Sequence, residues 1–198
     1  MDAVEPVRRG RGRRPAGEVR REVLRAAGEL LLEQGVAGFT IEKVATRAGA
    51  SRVTLYKWWP SKGALALDGF STMVAAPLAF PDTGEIGTDL TGQLLDFVRL
   101  VRDTPAGRVM AELICHAQSD PDLAVALRER YTWPRTSMAV EVLDRAKERG
   151  QIRSDVDSED VVAQLWGACY FQLLVFDRPL TDQFARSIIV NLLGGIRA

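Results

Sequence analysis

The chain is poor in the residues that most enzymes and most secreted proteins depend on. Its 198 residues include two cysteines and one histidine. Cys115 and Cys169 lie far apart, without the paired spacing of a disulfide framework or a zinc knuckle. His116 stands alone, so no histidine pair is available to hold a metal. No metal, no cofactor and no catalytic constellation is expected, and an enzyme is not predicted. Long apolar runs are also missing. The longest, Val161 to Phe176, includes Gln164 and Gln172 and is shorter than the roughly 20 residues of a bilayer span. The arginine-rich N-terminus is followed by charged residues, where a signal peptide would have an apolar core. These absences predict a cytoplasmic protein with no membrane partner.

Net charge is zero overall, and that zero hides a segregation. Residues 1–70 carry 13 Lys/Arg against 8 Asp/Glu, whereas residues 71–198 carry 13 against 18. A basic module joined to an acidic body fits contact with a polyanion through one end only. Residues 1–16, with Arg8, Arg9, Arg11, Arg13 and Arg14 among Gly10, Gly12 and Pro15, have the composition of a flexible basic arm.

Helical signals begin at Gly17. Val19, Val23, Ala26, Ala27, Leu30 and Leu31 share one face at 3.6 periodicity, and Gly35 is a natural stop. Thr40 is placed to cap a short helix through Arg47, Ser51 a second to about Trp58, and Ser61 a third to about Ala75. Beyond Pro77, Pro81 and Gly84 the remaining starts are Thr88 or Asp89, Thr104-Pro105, Asp120-Pro121, Ser158 and Thr181. Pro134 should kink or split the segment that follows Pro121, and Gly194-Gly195 should end the last helix. No segment alternates with period two between hairpin turns. The fold class predicted is all-α with about nine helices. Its parts are the arm (1–16), a three-helix unit with a helix-turn-helix (17–62) and a helical body (63–198).

Residues 40–62 read TIEKVATRAGASRVTLYKWWPSK. Small Ala45 lets two helices approach, Gly49 makes the turn, and Leu55 locks the second helix on the first. That second helix opens at Ser51 and presents Arg52, Val53, Thr54, Tyr56 and Lys57. These are donors and a methyl-bearing side chain suited to the edges of guanine and thymine in the major groove. Lys62 stands at a helix N-terminus, where backbone amides favour phosphate. No acidic residue lies between Lys43 and Lys62. A short helical hairpin with no nucleic-acid role has the same spacing, and the exposed basic face is what favours DNA.

From Gly17 to about Leu67 the chain resembles the DNA-binding domain of the TetR family of bacterial transcriptional regulators, most specifically over Thr40–Lys62. The resemblance implies that Thr40, Tyr56 and Lys62 hold the phosphate backbone while Arg52, Val53, Thr54 and Lys57 face the bases. Two positions depart from the family pattern. Trp58 stands where histidine or tyrosine is common, and its indole N–H is the group left to meet a phosphate. Trp59 replaces a common phenylalanine and should pack inward. Arg13 and Arg14 precede the first helix, where an arm can reach a minor groove.

The resemblance also implies a body that dimerises and encloses a small molecule. Residues 158–176 are apolar nearly all round, which suggests a helix buried partly by a second subunit. Val162, Trp166, Phe171, Leu174, Phe184, Ile188 and Leu192 are the expected interface. Phe70, Met73, Phe97, Met110, His116, Trp133, Trp166 and Tyr170 are candidate lining for an effector pocket, and each is equally an ordinary core residue. The reading is a homodimeric repressor, released from a palindromic double-stranded DNA operator by a small-molecule effector. Two alternatives stand beside it. One is a redox-sensing regulator built on Cys115 or Cys169; the other is a helical enzyme or carrier with an incidental helix-turn-helix.

Overall fold

A computed structural model describes residues 14–76, 78–176 and 178–197. Arg13 and the rest of the proposed arm before it lie outside the described residues. Every extended element among those described is helical, apart from one antiparallel bridge between Ile152 and Arg197.

The N-terminal unit holds α1 (Ala16–Gly38), α2 (Ile41–Ala48) and α3 (Arg52–Trp58). α1 buries Val23, Ala26, Ala27, Leu30 and Leu31, and it breaks at Gly35 (φ 69°, ψ −176°). That backbone region is open essentially to glycine alone. α4 (Lys62–Val74) lies along α1 and leads into the body. The two helices touch through glycines. A Cβ on Gly69 would stand 2.7 Å from the Ala27 Cβ and 2.9 Å from the Gly28 nitrogen. One on Gly28 would stand 2.8 Å from the Gly69 carbonyl oxygen.

The body comprises α5 (Ile86–Asp103), α6 (Ala106–Ala117), α7 (Pro121–Leu127), α8 (Trp133–Glu148), α9 (Ser158–Phe171) and α10 (Asp182–Ile196). A π-helical turn, Arg128–Thr132, joins α7 to α8 without a break, and a second, Gln172–Phe176, extends α9. The ten α-helical segments therefore form nine rods among the described residues.

Pro134 explains the first π turn. Proline has no N–H to give to the carbonyl four residues back, which is that of Arg130. The extra residue of a π turn absorbs the clash, and the Ser71 hydroxyl on α4 donates to the orphaned Arg130 carbonyl (3.2 Å). The proline leaves the rod unbroken and adds one residue to a turn.

Three helix boundaries differ from the sequence expectation. α5 opens at Glu85, whose carboxylate accepts from the Gly87 (3.0 Å) and Thr88 amides. Asp89 is instead buried and accepts from the Thr83 amide and hydroxyl. At α9 the cap is Asp157, while Ser158 turns inward to donate to Asp144 (2.6 Å). α10 continues through Gly194 and Gly195 to Ile196.

Gly69→Ala should lower stability by about 1–3 kcal/mol, since its methyl meets backbone and Ala27 at the helix crossing. Gly17→Ala, which meets nothing within 4 Å, should be neutral or slightly stabilising. Thermal melts of the two variants check this; equal melting temperatures would show that the close approach of α1 and α4 is not needed.

Candidate nucleic-acid interface and cavity

Capping side chains build the helix-turn-helix. The Thr40 hydroxyl accepts from the Lys43 amide (3.3 Å), Ser51 from the Thr54 amide (3.1 Å) and Ser61 from the Ala64 amide (3.1 Å). Gly49 takes the left-handed conformation (φ 59°, ψ 39°) that ends α2. Arg14 reaches this turn, its guanidinium donating to the carbonyls of Ala48 (3.3 Å) and Gly49 (2.9 Å). Arg14 thus braces the turn.

Leu55 and Trp59 are fully buried, and the opposite face of α3 is open. Val53 is 80% and Tyr56 54% exposed, and Arg52 and Lys57 stand beside them in solvent. Thr54 is half-buried and shares a hydrogen bond with the Ser51 hydroxyl (2.9 Å). Arg52 pairs with Glu42 (3.1 Å), an acid just outside the acid-free run. Both partners are exposed, so little energy opposes the transfer of Arg52 to another acceptor. Trp58 is half-buried and packs edge-on against Trp59 at 5.7 Å. Lys62 is exposed at the start of α4.

One buried contact that sequence reasoning missed fixes the end of α3. The Trp59 indole N–H donates to Asp68 on α4 (2.8 Å), and Arg130 grips both Asp68 oxygens at 2.9 and 2.8 Å. Arg20 approaches the same carboxylate at 3.9 Å and lies over the Trp59 ring. The partners are 9, 62 and 48 positions from Asp68, spacings that carry no local pattern.

Arg130 belongs to the π turn whose next residues line a partly open cavity of about 340 Å³. Aromatic walls come from Phe70, Phe80, Phe97, Tyr131, Trp166 and Tyr170, and aliphatic ones include Leu67, Met110, Leu113 and Val162. Its polar groups are the two tyrosine hydroxyls, Thr132, Thr136 and Arg135. Burial raises the pKa of Tyr131, and burial together with the neighbouring Tyr131 raises that of Tyr170. Both phenols therefore stay protonated and able to donate.

Five of the eight candidate pocket residues line this cavity: Phe70, Phe97, Met110, Trp166 and Tyr170. Three do not. Met73 lies against Gly28 on α1. His116 is exposed near the end of α6, beside a separate cleft with Lys62 and Asp120. Trp133 is 58% exposed, because the π turn sends Tyr131 inward and rotates Trp133 to the surface. Among the aromatic lining residues, Phe80 and Tyr131 are the two that the sequence reading overlooked.

Of the expected interface residues, Val162 and Trp166 face the cavity. Phe184, Ile188 and Leu192 are half-buried against the core. Phe171 (52%) and Leu174 are exposed, together with Val175, Phe176 and Val190. This leaves an apolar surface at the end of α9 and on the outer side of α10. Burial pushes the Cys169 thiol up to about 12, far from the reactive range of a redox sensor. No helix among the described residues is long and apolar enough to cross a membrane.

Native-state hydrogen exchange tests the Asp68 anchor. Asp68→Asn should speed exchange of the α3 amides roughly tenfold, the equivalent of about 1.4 kcal/mol lost from a charged hydrogen-bond set. Unchanged protection across Arg52–Trp58 would remove Asp68 as the element that holds the helix.

Known proteins share both halves of this arrangement. Residues 23–68 match the model described as bacterial regulatory proteins, tetR family, and residues 80–192 match the tetracyclin repressor-like C-terminal domain. The HTH-type transcriptional regulator YdeS of Bacillus subtilis (strain 168) is 32% identical over 188 residues, covering 95% of this chain and 94% of its own. The HTH-type transcriptional regulator AqdR of Rhodococcus erythropolis is 27% identical, covering 89% and 84%. The crystal structure of the TetR family transcription regulator SCO0332 superposes with a TM-score of 0.84 at 52% identity, over 91% of this chain and 100% of that one.

Proposed function

The chain belongs to the tetR family of bacterial regulatory proteins and is a DNA-binding transcriptional regulator; from that premise we propose a homodimeric repressor that leaves its operator when the cavity fills. The observation that carries the proposal is the linkage of one cavity wall to the reading head. Tyr131 and Thr132 face the cavity, Arg130 in the same turn holds Asp68, and Asp68 holds Trp59 at the end of α3. A second link runs through α6, which contributes Met110, Leu113 and Ile114 to the cavity. Two residues of that helix grip the end of α1. Arg108 donates to the Leu32 carbonyl (3.4 Å) and pairs with Glu112, which accepts from the Val36 amide (2.7 Å).

A molecule that prefers a slightly different wall geometry shifts the population of reading-head positions and lowers DNA affinity by the same coupling free energy. Arg52, Val53, Thr54 and Lys57 read base edges, while Thr40, Ser51, Tyr56, Trp58 and Lys62 meet the backbone. Arg13 and Arg14 are the arm residues assigned to the minor groove, Arg14 standing beside the α2–α3 turn through its exposed bond to the Gly49 carbonyl. The exposed apolar surface of α9 and α10, centred on Phe171, Leu174 and Val190, supports pairing about a two-fold axis as a four-helix bundle.

Fluorescence anisotropy with a labelled fragment from upstream of the protein's own gene, against scrambled competitor, tests the reading. Arg52→Ala should relax discrimination at one base position, at a cost of about 1–3 kcal/mol for the preferred base. Lys62→Ala should weaken all sequences alike and flatten the salt dependence. Identical behaviour of the two variants across a panel of base substitutions would contradict this division of roles.

A further inference from the structure

The cavity has a charge signature. Among the described residues its lining holds one ionised side chain, Arg135, and no Asp, Glu, Lys or His. Arg135 is half-buried on α8 and donates one N–H to the Leu78 carbonyl (2.8 Å). Among the described residues it has no carboxylate partner within ion-pairing distance. Its neighbours Arg130, Arg145 and Arg149 each have one. A guanidinium carries five donors, so the bond to Leu78 leaves most of the fork available. A cation at an apolar wall without a counter-ion carries a desolvation cost that an incoming anion relieves.

The rest of the lining selects the body of the ligand. Phe97 and Tyr170 meet edge to face at 5.7 Å and Phe80 and Trp166 at a tilt at 6.0 Å, and since Trp166 and Tyr170 lie one turn apart on α9 the two aromatic pairs stand side by side along one wall. Tyr131 and Tyr170 contribute neutral hydroxyls. One cationic fork, two phenols and the side chains of Thr132 and Thr136 are thus set in a lining otherwise apolar and rich in aromatic rings. Among the described residues the lining has no acid to hold a cationic group.

We propose that the effector is a ring-containing organic acid, with its anionic group held by Arg135 and its apolar body packed against the Phe97–Tyr170 and Phe80–Trp166 pairs. This rests on the reading of the cavity as the effector site. It excludes amines and other cations as ligands, and it makes Arg135 the residue that sets ligand class.

Two dyes with one ring system test the class directly: 8-anilinonaphthalene-1-sulfonate and its neutral counterpart N-phenyl-1-naphthylamine. Full-length protein is titrated with each by fluorescence. Arg135→Met should weaken the sulfonate about tenfold or more, as expected for loss of a charge-assisted hydrogen bond, and leave the neutral dye nearly unchanged. Arg135→Lys should retain much of the preference for the anion. A parallel loss of both dyes in Arg135→Met, or no loss of either, overturns the proposal. Thr136→Trp, which plugs the cavity from its lining, separates this failure from that of the underlying reading. If the plugged protein keeps operator affinity and loses both dyes, the cavity is their site and the arginine test decides the ligand class. If it still binds both dyes as before, the cavity is not the ligand site, and the proposal falls with the reading beneath it.

Discussion

The carboxylate of Asp68 is the point on which the two halves of the molecule depend. It is mostly buried, which makes an unpaired state costly, and it answers to three elements at once: the Trp59 indole after α3, Arg130 in the π turn and Arg20 on α1. A buried charge with several partners resists partial rearrangement, because moving one partner leaves the others unsatisfied. The anchored recognition helix is only seven residues long, too short to be stable by itself. Its orientation is therefore a property of what Asp68 and the buried Leu55 and Trp59 allow.

α4 is the structural bridge in this account. Its first turn carries Lys62, its middle carries Asp68 and the glycine that admits α1, and its later turns carry Phe70 into the cavity wall and Ser71 onto the Arg130 carbonyl. Few residues along thirteen are free of a long-range duty. The boundary at residue 62 expected from sequence divides the chain at a linear break, but α4 packs on both sides of it.

Local chemistry was legible in the sequence. Thr40, Ser51 and Ser61 act as caps, Gly49 takes the left-handed turn, and Gly35 breaks α1, since each depends on a few neighbouring residues. The all-helical class and the helix-turn-helix follow from those signals. What periodicity could not supply is where a helix changes pitch. Pro134 announces a disturbance, yet an insertion of one residue per turn, and not a break, is settled by whether a donor is at hand for the Arg130 carbonyl. Ser71, 59 positions away, is that donor. The resulting rotation exchanges Trp133 for Tyr131 at the cavity and accounts for the misplacement of Trp133 among the pocket candidates. In the same way α9 reads as apolar all round, and only packing separates Val162 and Trp166, which face the cavity, from Phe171, which faces outward.

Paired reading heads and sequence-specific contact are the centre of the account, and one measurement addresses both. Selection of bound duplexes from a random-sequence pool at moderate salt, followed by sequencing, should converge on an inverted repeat. Its half-site centres should lie about one helical turn apart, or a small multiple of that. Enrichment of a single unpaired half-site would contradict the dimer, and a pool that remains random would contradict base reading by α3 altogether.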